Sequence, residues 1–394
     1  MKRLCTIVIS MLGVALVACG DNGAITPDAP PTADAAPGAD AAPGADAAPP
    51  VDLPPTTSRA VIVAGDFNAG RPGLLTTLDA RSREVRKNVG PALAIGDDPI
   101  LRHVDHELIV VNRGENNVTI LDDQTLALKE QLGTGANSNP QDVAVVGTKL
   151  YVPTYATKGV TVVTRGSNAL TVIDLSADDP DGKPDCNSAF AIGTDVYVSC
   201  ELLQDFAPRG AGKVYVIDAT TDTVKTTSTV ALLHKNPFGL FEQLPRGAPN
   251  AGDLVIATVE DFTTATGCIE RITPGATASV CLLDNALLGG YPSRITFQVS
   301  ADAAVMWSTV AVTDFVHGNL RGFDLLATAL SAAPLTPASE KIVDAVHCPS
   351  GQLVVVDATQ NASGLRVYEG TTAQTMAALP IGISSFSQHG LVCY

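Results

Sequence analysis

One pattern recurs along the whole chain and restricts the fold more than any other feature. Its fullest copy runs from Asn139 to Asp174: Asn139-Pro140, an apolar run from Val143 to Val146, Gly147, then Lys149-Leu150-Tyr151-Val152, and finally Thr171-Val172-Ile173-Asp174. The closing step can be followed as Leu78-Asp79, Leu121-Asp122, Ile173-Asp174, Ile217-Asp218, Ile272-Thr273, Phe323-Asp324 and Tyr368-Glu369, seven copies spaced 43 to 55 residues apart. A period of about 48 residues with no sustained helical spacing is that of a propeller blade, a unit that buries its apolar faces only by stacking on its neighbours.

Each repeat reads as four short strands, A to D. Strand B is the clearest, as in Ala60-Val61-Ile62-Val63, Leu108-Ile109-Val110-Val111 and Leu353-Val354-Val355-Val356, β-branched runs bounded by turn residues. Strand A commonly follows a proline (Pro99, Pro140, Pro237, Pro292), and the strand ending in the hydrophobe–acid step is read as C in every blade. The first repeat begins at strand B, while the chain ends in Gly390-Leu391-Val392-Cys393-Tyr394, which aligns with a strand A. The expected fold is therefore all-β: a seven-bladed β-propeller of four-stranded antiparallel blades, residues 58 to 394, whose C-terminal strand completes blade 1 and removes an open edge.

The N-P, K-L-Y-V and V-x-V-I-D elements resemble those of YVTN-type seven-bladed propellers, most closely in blades 3 and 4. That resemblance implies the fold and an extracytoplasmic setting. It implies little about activity, because one scaffold hosts many functions.

The N-terminus agrees with export. Met1-Lys2-Arg3 precedes an uncharged, mostly apolar segment from Leu4 to Ala18, too short to span a bilayer and ending in small residues, as a signal peptide does. Leu16-Val17-Ala18-Cys19 resembles the lipobox of bacterial lipoproteins, which implies a signal peptide over residues 1–18, lipidation of Cys19 and a cell-envelope location. Gly20 rather than Asp follows Cys19, which in that family favours the outer membrane. Residues 19–57 form an Asp/Ala/Pro/Gly linker with Asp28, Asp34, Asp40, Asp46 and Asp52 at a period of six; with almost nothing to bury, it is expected to stay a disordered tether.

The net charge is −16, and setting aside Lys2, Arg3 and the six Asp residues of the linker leaves −12 on the propeller. No basic stripe for nucleic acid is present. The expected partner is an envelope protein or a small ligand, the expected state is a monomer, and membrane contact is expected only through the N-terminal lipid. No cofactor motif occurs, so none is expected.

Apart from Cys5 and Cys19, six cysteines remain, an even number that in an exported chain suggests disulfides. Cys268 and Cys281 flank Pro274-Gly275 symmetrically, as a directly opposed pair in a two-residue hairpin would. Cys186 and Cys200 straddle a turn near Gly193-Thr194, and Cys348 and Cys393 pair by elimination, strand A of blade 7 being next to the closing strand.

Catalytic signatures are absent, and no group of His, Arg and Glu recurs at equivalent repeat positions. A non-enzymatic binding module is therefore preferred. The alternative is a lactonase-like hydrolase, because some propellers resembling this one open lactones. His103-Val104-Asp105-His106 has metal-ligand residue types but reads better as a surface hairpin. Asp179, Asp181 and Asp185 form a weak calcium candidate without the distal Glu of an EF-hand, and a solvated turn is the plainer reading. Finally, Asp66-Phe67, Asp205-Phe206, Asp261-Phe262 and Asp314-Phe315 each follow strand B, using four of the ten Phe residues. B-to-C loops leave a propeller on one face, so these pairs form a candidate binding rim for a cationic or aromatic-rich partner, its loops reading as long in blades 3, 4 and 6. The plainer alternative is that each Asp bonds its own loop and each Phe fills a gap between blades.

Overall fold

The computed structural model describes residues 58–65, 72–375, 377–382 and 388–394. The signal, lipidation and tether readings, and Asp66 and Phe67 of the rim, lie outside these residues. Among the described residues no helix is long and apolar enough to cross a membrane.

Seven antiparallel sheets follow one another, each a four-stranded blade; in blade 4 a short fifth strand, Val230–Ala231, also pairs with the third strand, and a separate two-stranded hairpin lies between strands B and C. The innermost strands are Leu391–Cys393 in blade 1, then Pro99–Val104, Ala144–Val146, Cys186–Ile192, Glu242–Gln243, Tyr291–Val299 and Ile342–His347 in blades 2 to 7. The second strands are the β-branched runs and are buried throughout, as in Arg59–Ala64 and Gln352–Asp357, because both faces pack against neighbouring blades. Apolar clusters accordingly lie between blades: Ile62 and Leu391 of blade 1 pack with Val354 and Val356 of blade 7, and Val160 of blade 3 with Val196 and Val198 of blade 4.

The ring closes through the C-terminus. Ala60 lies opposite Cys393, Val61 opposite Val392 and Ile62 opposite Leu391, and the backbone N–H groups of Arg59 and Tyr394 donate to one another's carbonyls at 2.8 and 3.0 Å. Disulfides join Cys186 to Cys200, Cys268 to Cys281 and Cys348 to Cys393, with Cα separations of 3.9, 5.6 and 5.1 Å.

Two details differ from the sequence reading. In blade 3 the segment Ala169–Asp174, which carries the Val-Ile-Asp step, is the outermost strand, and the third strand is Gly159–Thr164. Both segments are β-branched and of equal length; what separates them is that Val160, Val162 and Val163 are buried between neighbours, whereas Leu170 and Val172 face solvent. The B-to-C loop of blade 3 is consequently short, residues 155 to 158. In blade 5, Cys281 lies opposite Glu270, and a bulge between Ile269 and Glu270 sets Cys268 opposite Asp284, so the disulfide spans a diagonal. The cause is tertiary: Thr277 and Ser279 are drawn across to blade 4, Ala231 N–H donating to Thr277 O at 3.0 Å and Ser279 N–H to Ala231 O at 3.2 Å, which opens the hairpin.

Candidate functional site

The inner strands bring together a charge network invisible as a motif. Arg102 of blade 2 forms a bidentate pair with Asp142 of blade 3, both contacts at 2.8 Å. The Ser188 hydroxyl and the Ala189 N–H of blade 4 each donate to Asp142 Oδ2 at 2.9 Å. Glu242 of blade 5 lies 3.6 Å from Arg102 and 3.4 Å from Arg294 of blade 6, and Arg294 Nε is 3.4 Å from Asp344 of blade 7. Asp344 Oδ2 accepts the N–H of Leu391 in the closing strand at 3.0 Å, and Leu101 N–H donates to His389 O at 2.9 Å, returning the circuit to blade 2.

Local backbone irregularity aims these side chains inward. Register shifts occur between Cys186 and Ser188, between Pro292 and Ile295 and between Ile342 and Asp344, so Ser188, Arg294 and Asp344 all lie at β-bulges. A bulge re-aims a side chain that regular pleating would direct between blades. Thus a set of Arg and acidic side chains does gather at near-equivalent repeat positions, contrary to the sequence reading. The available signal was a charge embedded in an apolar inner strand, as in Ile100-Leu101-Arg102 or Val343-Asp344-Ala345. Chemically the network is self-neutralising: Ser188 Oγ, which also accepts Phe241 N–H at 2.8 Å, is engaged by a carboxylate rather than an imidazole.

The rim residues do not behave as one set. Asp205 and Phe206, both left-handed, form the tip of the hairpin Leu203–Gln204/Ala207–Pro208, where Phe206 is 65% exposed. In blades 5 and 6 the pairs converge. Phe262 lies 6.0 Å from Phe315, edge-on to Phe238 at 5.6 Å and to Tyr291 at 5.7 Å, while Tyr291 and Phe315 stack at 5.2 Å. Tyr291 is buried beneath and the three Phe rings are half-exposed. Asp261 accepts the N–H groups of Thr263 and Thr264 at 2.8 and 2.9 Å, and Asp314 those of Val316 and His317 at 2.9 and 3.0 Å. The Thr263 hydroxyl and backbone at Asp261, and the His317 backbone and ring at Asp314, hold both carboxyls down at about 2, so both stay ionised. These residues therefore serve their loops and still present charge beside aromatic surface.

The His103 and His106 segment is a hairpin with Asp105 and His106 left-handed at its turn. His103 Nε2 contacts Asp123 at 2.9 Å and its ring stacks on Tyr394 at 4.2 Å.

Asp179 and Asp185 are buried rather than part of a solvated turn, and Glu201, which the sequence reading did not single out, joins them. The Cys186–Cys200 disulfide ties the residue after Asp185 to the residue before Glu201, whose N–H donates to Asp185 O at 3.1 Å. Among the described residues no three His, Cys, Asp or Glu side chains converge as a metal would require. Burial, then the charges of Asp179 and Asp181, push the Asp185 carboxyl up to about 7. Burial, then Asp185, pushes Glu201 well up, and its Oε2 accepts the Tyr155 hydroxyl at 3.2 Å.

An acid whose folded pKa exceeds its unfolded value near about 4 binds more protons folded than unfolded, so this contribution to stability declines as pH rises from there to about 7. Asp185→Asn keeps an acceptor for Leu203 N–H, now at 2.9 Å from Oδ2, and removes the charge. The variant is expected to melt a few degrees higher than wild type at pH 8 and close to it at pH 4. Equal shifts at both pH values would contradict the assignment.

Comparison with known proteins supports the architecture. No protein-family model matches the chain, and no curated protein matches it. Among solved structures, it is similar to a quinonprotein alcohol dehydrogenase-like protein from Bacteroides thetaiotaomicron VPI-5482, at TM-score 0.53 and 12% identity over 80% of this chain and 74% of that one. It is similar to the dihydro-heme d1 dehydrogenase NirN at TM-score 0.51 and 14% identity over 81% of this chain, spanning 64% of NirN. A streptogramin B lyase matches at TM-score 0.50 and 12% identity, over 75% of this chain and 89% of that one. At these identities the likeness is one of fold. The chain is a seven-bladed β-propeller closed by its own C-terminal strand, with a ring of ion pairs at its axis.

Proposed function

We propose that this propeller is a binding module of the cell envelope, attached through a lipid on Cys19 and recognising cationic groups on the face formed by Phe238, Phe262 and Phe315 with Asp261 and Asp314. The observation that carries this reading is the joining of half-exposed aromatic rings with two carboxylates held ionised by their own loops. A cation over an aromatic face contributes about 0.5–1 kcal/mol at an exposed site, and nearby carboxylates add attraction that salt weakens. An envelope protein presenting Lys or Arg, or a small quaternary ammonium compound, fits this chemistry equally. The hydrolase alternative gains no support from the axial network, where Ser188 is held by Asp142.

Calorimetric titration with phenyltrimethylammonium tests the binding face. Phe262→Ala, and separately the pair Asp261→Asn and Asp314→Asn, are expected to weaken binding about fivefold, roughly 1 kcal/mol. The Asn variants should melt within about 2 °C of wild type, because Asn can still accept the loop N–H groups. Unchanged affinity in both variants sinks the proposal, as does appreciable turnover in a lactone and ester screen that survives loss of binding. The anchor is tested by fractionation: Cys19→Ser should move the protein from membranes to the soluble fraction, and retention on membranes refutes lipidation at that residue.

A further inference from the structure

Blades 2 and 3 enclose a second, chemically different recess on the same loop face. It is an open cleft of about 390 Å³ lined by Asp97, Asp98, Arg113, Asn116, Asn137 and Asn139, with Gly114 in its wall. Asp98 immediately precedes the inner strand that carries Arg102. Arg113 Nη1 is 3.2 Å from Asp98, yet its buried Nε has no hydrogen-bond partner.

The walls are set before any ligand arrives. Asn116 Oδ1 accepts Asn139 N–H at 2.9 Å and its Nδ2 donates to Gly114 O at 3.1 Å. A Cβ on Gly114 would lie 2.3 Å from Asp97 Oδ1, so only glycine lets that carboxylate rest against the loop. One ordered water would satisfy Arg113 Nε, but a water's share of liquid volume is about 30 Å³, far below the volume here.

We infer that this cleft binds a neutral polyhydroxylated ligand, a saccharide of one or two rings. Each hydroxyl both donates and accepts, matching carboxylate acceptors at Asp97 and Asp98 and N–H donors at Arg113 and the Asn amides. A bare anion meets two carboxylates against one arginine whose charge Asp98 already offsets. A bare cation would face the Arg113 guanidinium in the cleft wall and leave its Nε unpaired. The volume is within the ligand-pocket range of about 300–1,000 Å³, and the polar lining disfavours an apolar guest.

Saturation-transfer-difference NMR of the propeller with glucose, galactose, mannose, N-acetylglucosamine and their disaccharides provides the test, with acetate as the anion arm and tetramethylammonium as the cation arm. Transfer to at least one sugar is expected. It should fall at least fivefold in Arg113→Gln and in Asn137→Gly, the latter an exposed left-handed position where Gly preserves the backbone and folding is not at issue. Phe262→Ala should leave the sugar signal unchanged, separating this site from the aromatic face. No transfer to any sugar, equal transfer in the Asn137→Gly variant, or transfer to acetate alone each overturns the inference.

Discussion

Deleting residues 388–394 is expected to abolish the cooperative melting transition or lower its midpoint by more than about 15 °C, the largest effect of any change considered for this chain. The deletion removes the inner strand of blade 1 and, with it, the Val63 N–H to Gly390 O and Leu101 N–H to His389 O bonds, both 2.9 Å. It leaves the buried strand Arg59–Ala64 as an open edge and takes away the N–H that satisfies Asp344. It also removes the Cys348–Cys393 disulfide, across a separation of 45 residues, worth about 4 kcal/mol in the chain-entropy model. Cys393→Ser isolates that last contribution and should produce only the smaller part of the loss. A truncated protein that melts within about 2 °C of the full chain would show that the closing strand contributes little.

The second large effect is expected at the axis. Arg294→Met leaves Asp344, fully buried, without the guanidinium that faces it, and removes one of the two arginines flanking Glu242. Breaking a buried pair from one side typically costs about 3–5 kcal/mol, because the remaining charge has neither water nor partner. The double variant Arg294→Met with Asp344→Asn should recover most of that loss, since a neutral amide costs far less to bury.

The pH dependence follows with a definite sign. Burial already pushes Asp344 up to about 6 despite the opposing pull of Arg294, and removing Arg294 raises it further. Protonation then relieves the variant more than the wild type, so the stability gap should narrow from pH 8 to pH 5. Urea unfolding at both pH values checks this; a gap that is constant with pH, or no recovery in the double variant, removes Asp344 as the cause.

Much of this architecture is legible in the chain itself. A repeat of about 48 residues with β-branched strands such as Leu108–Val111 admits few folds, because such a unit must stack on its like. The missing first strand A and the strand-like Leu391–Cys393 imply closure, since an unpaired inner edge is unfavourable. The cysteine pairs follow from neighbouring strands, although the Cys268–Cys281 register does not: its bulge depends on Thr277 and Ser279 bonding to blade 4. The third strand of blade 3 was similarly open, because Gly159–Thr164 and Ala169–Asp174 are equivalent in propensity and only burial between blades separates them. Both candidate sites belong to the tertiary structure. Phe238, Phe262, Tyr291 and Phe315 come from four segments spread over nearly eighty residues, and the axial ring draws on every blade. Side chains contributed singly by successive repeats have no local spacing to betray them; only ring closure and the bulges at Ser188, Arg294 and Asp344 turn isolated charges toward a common axis.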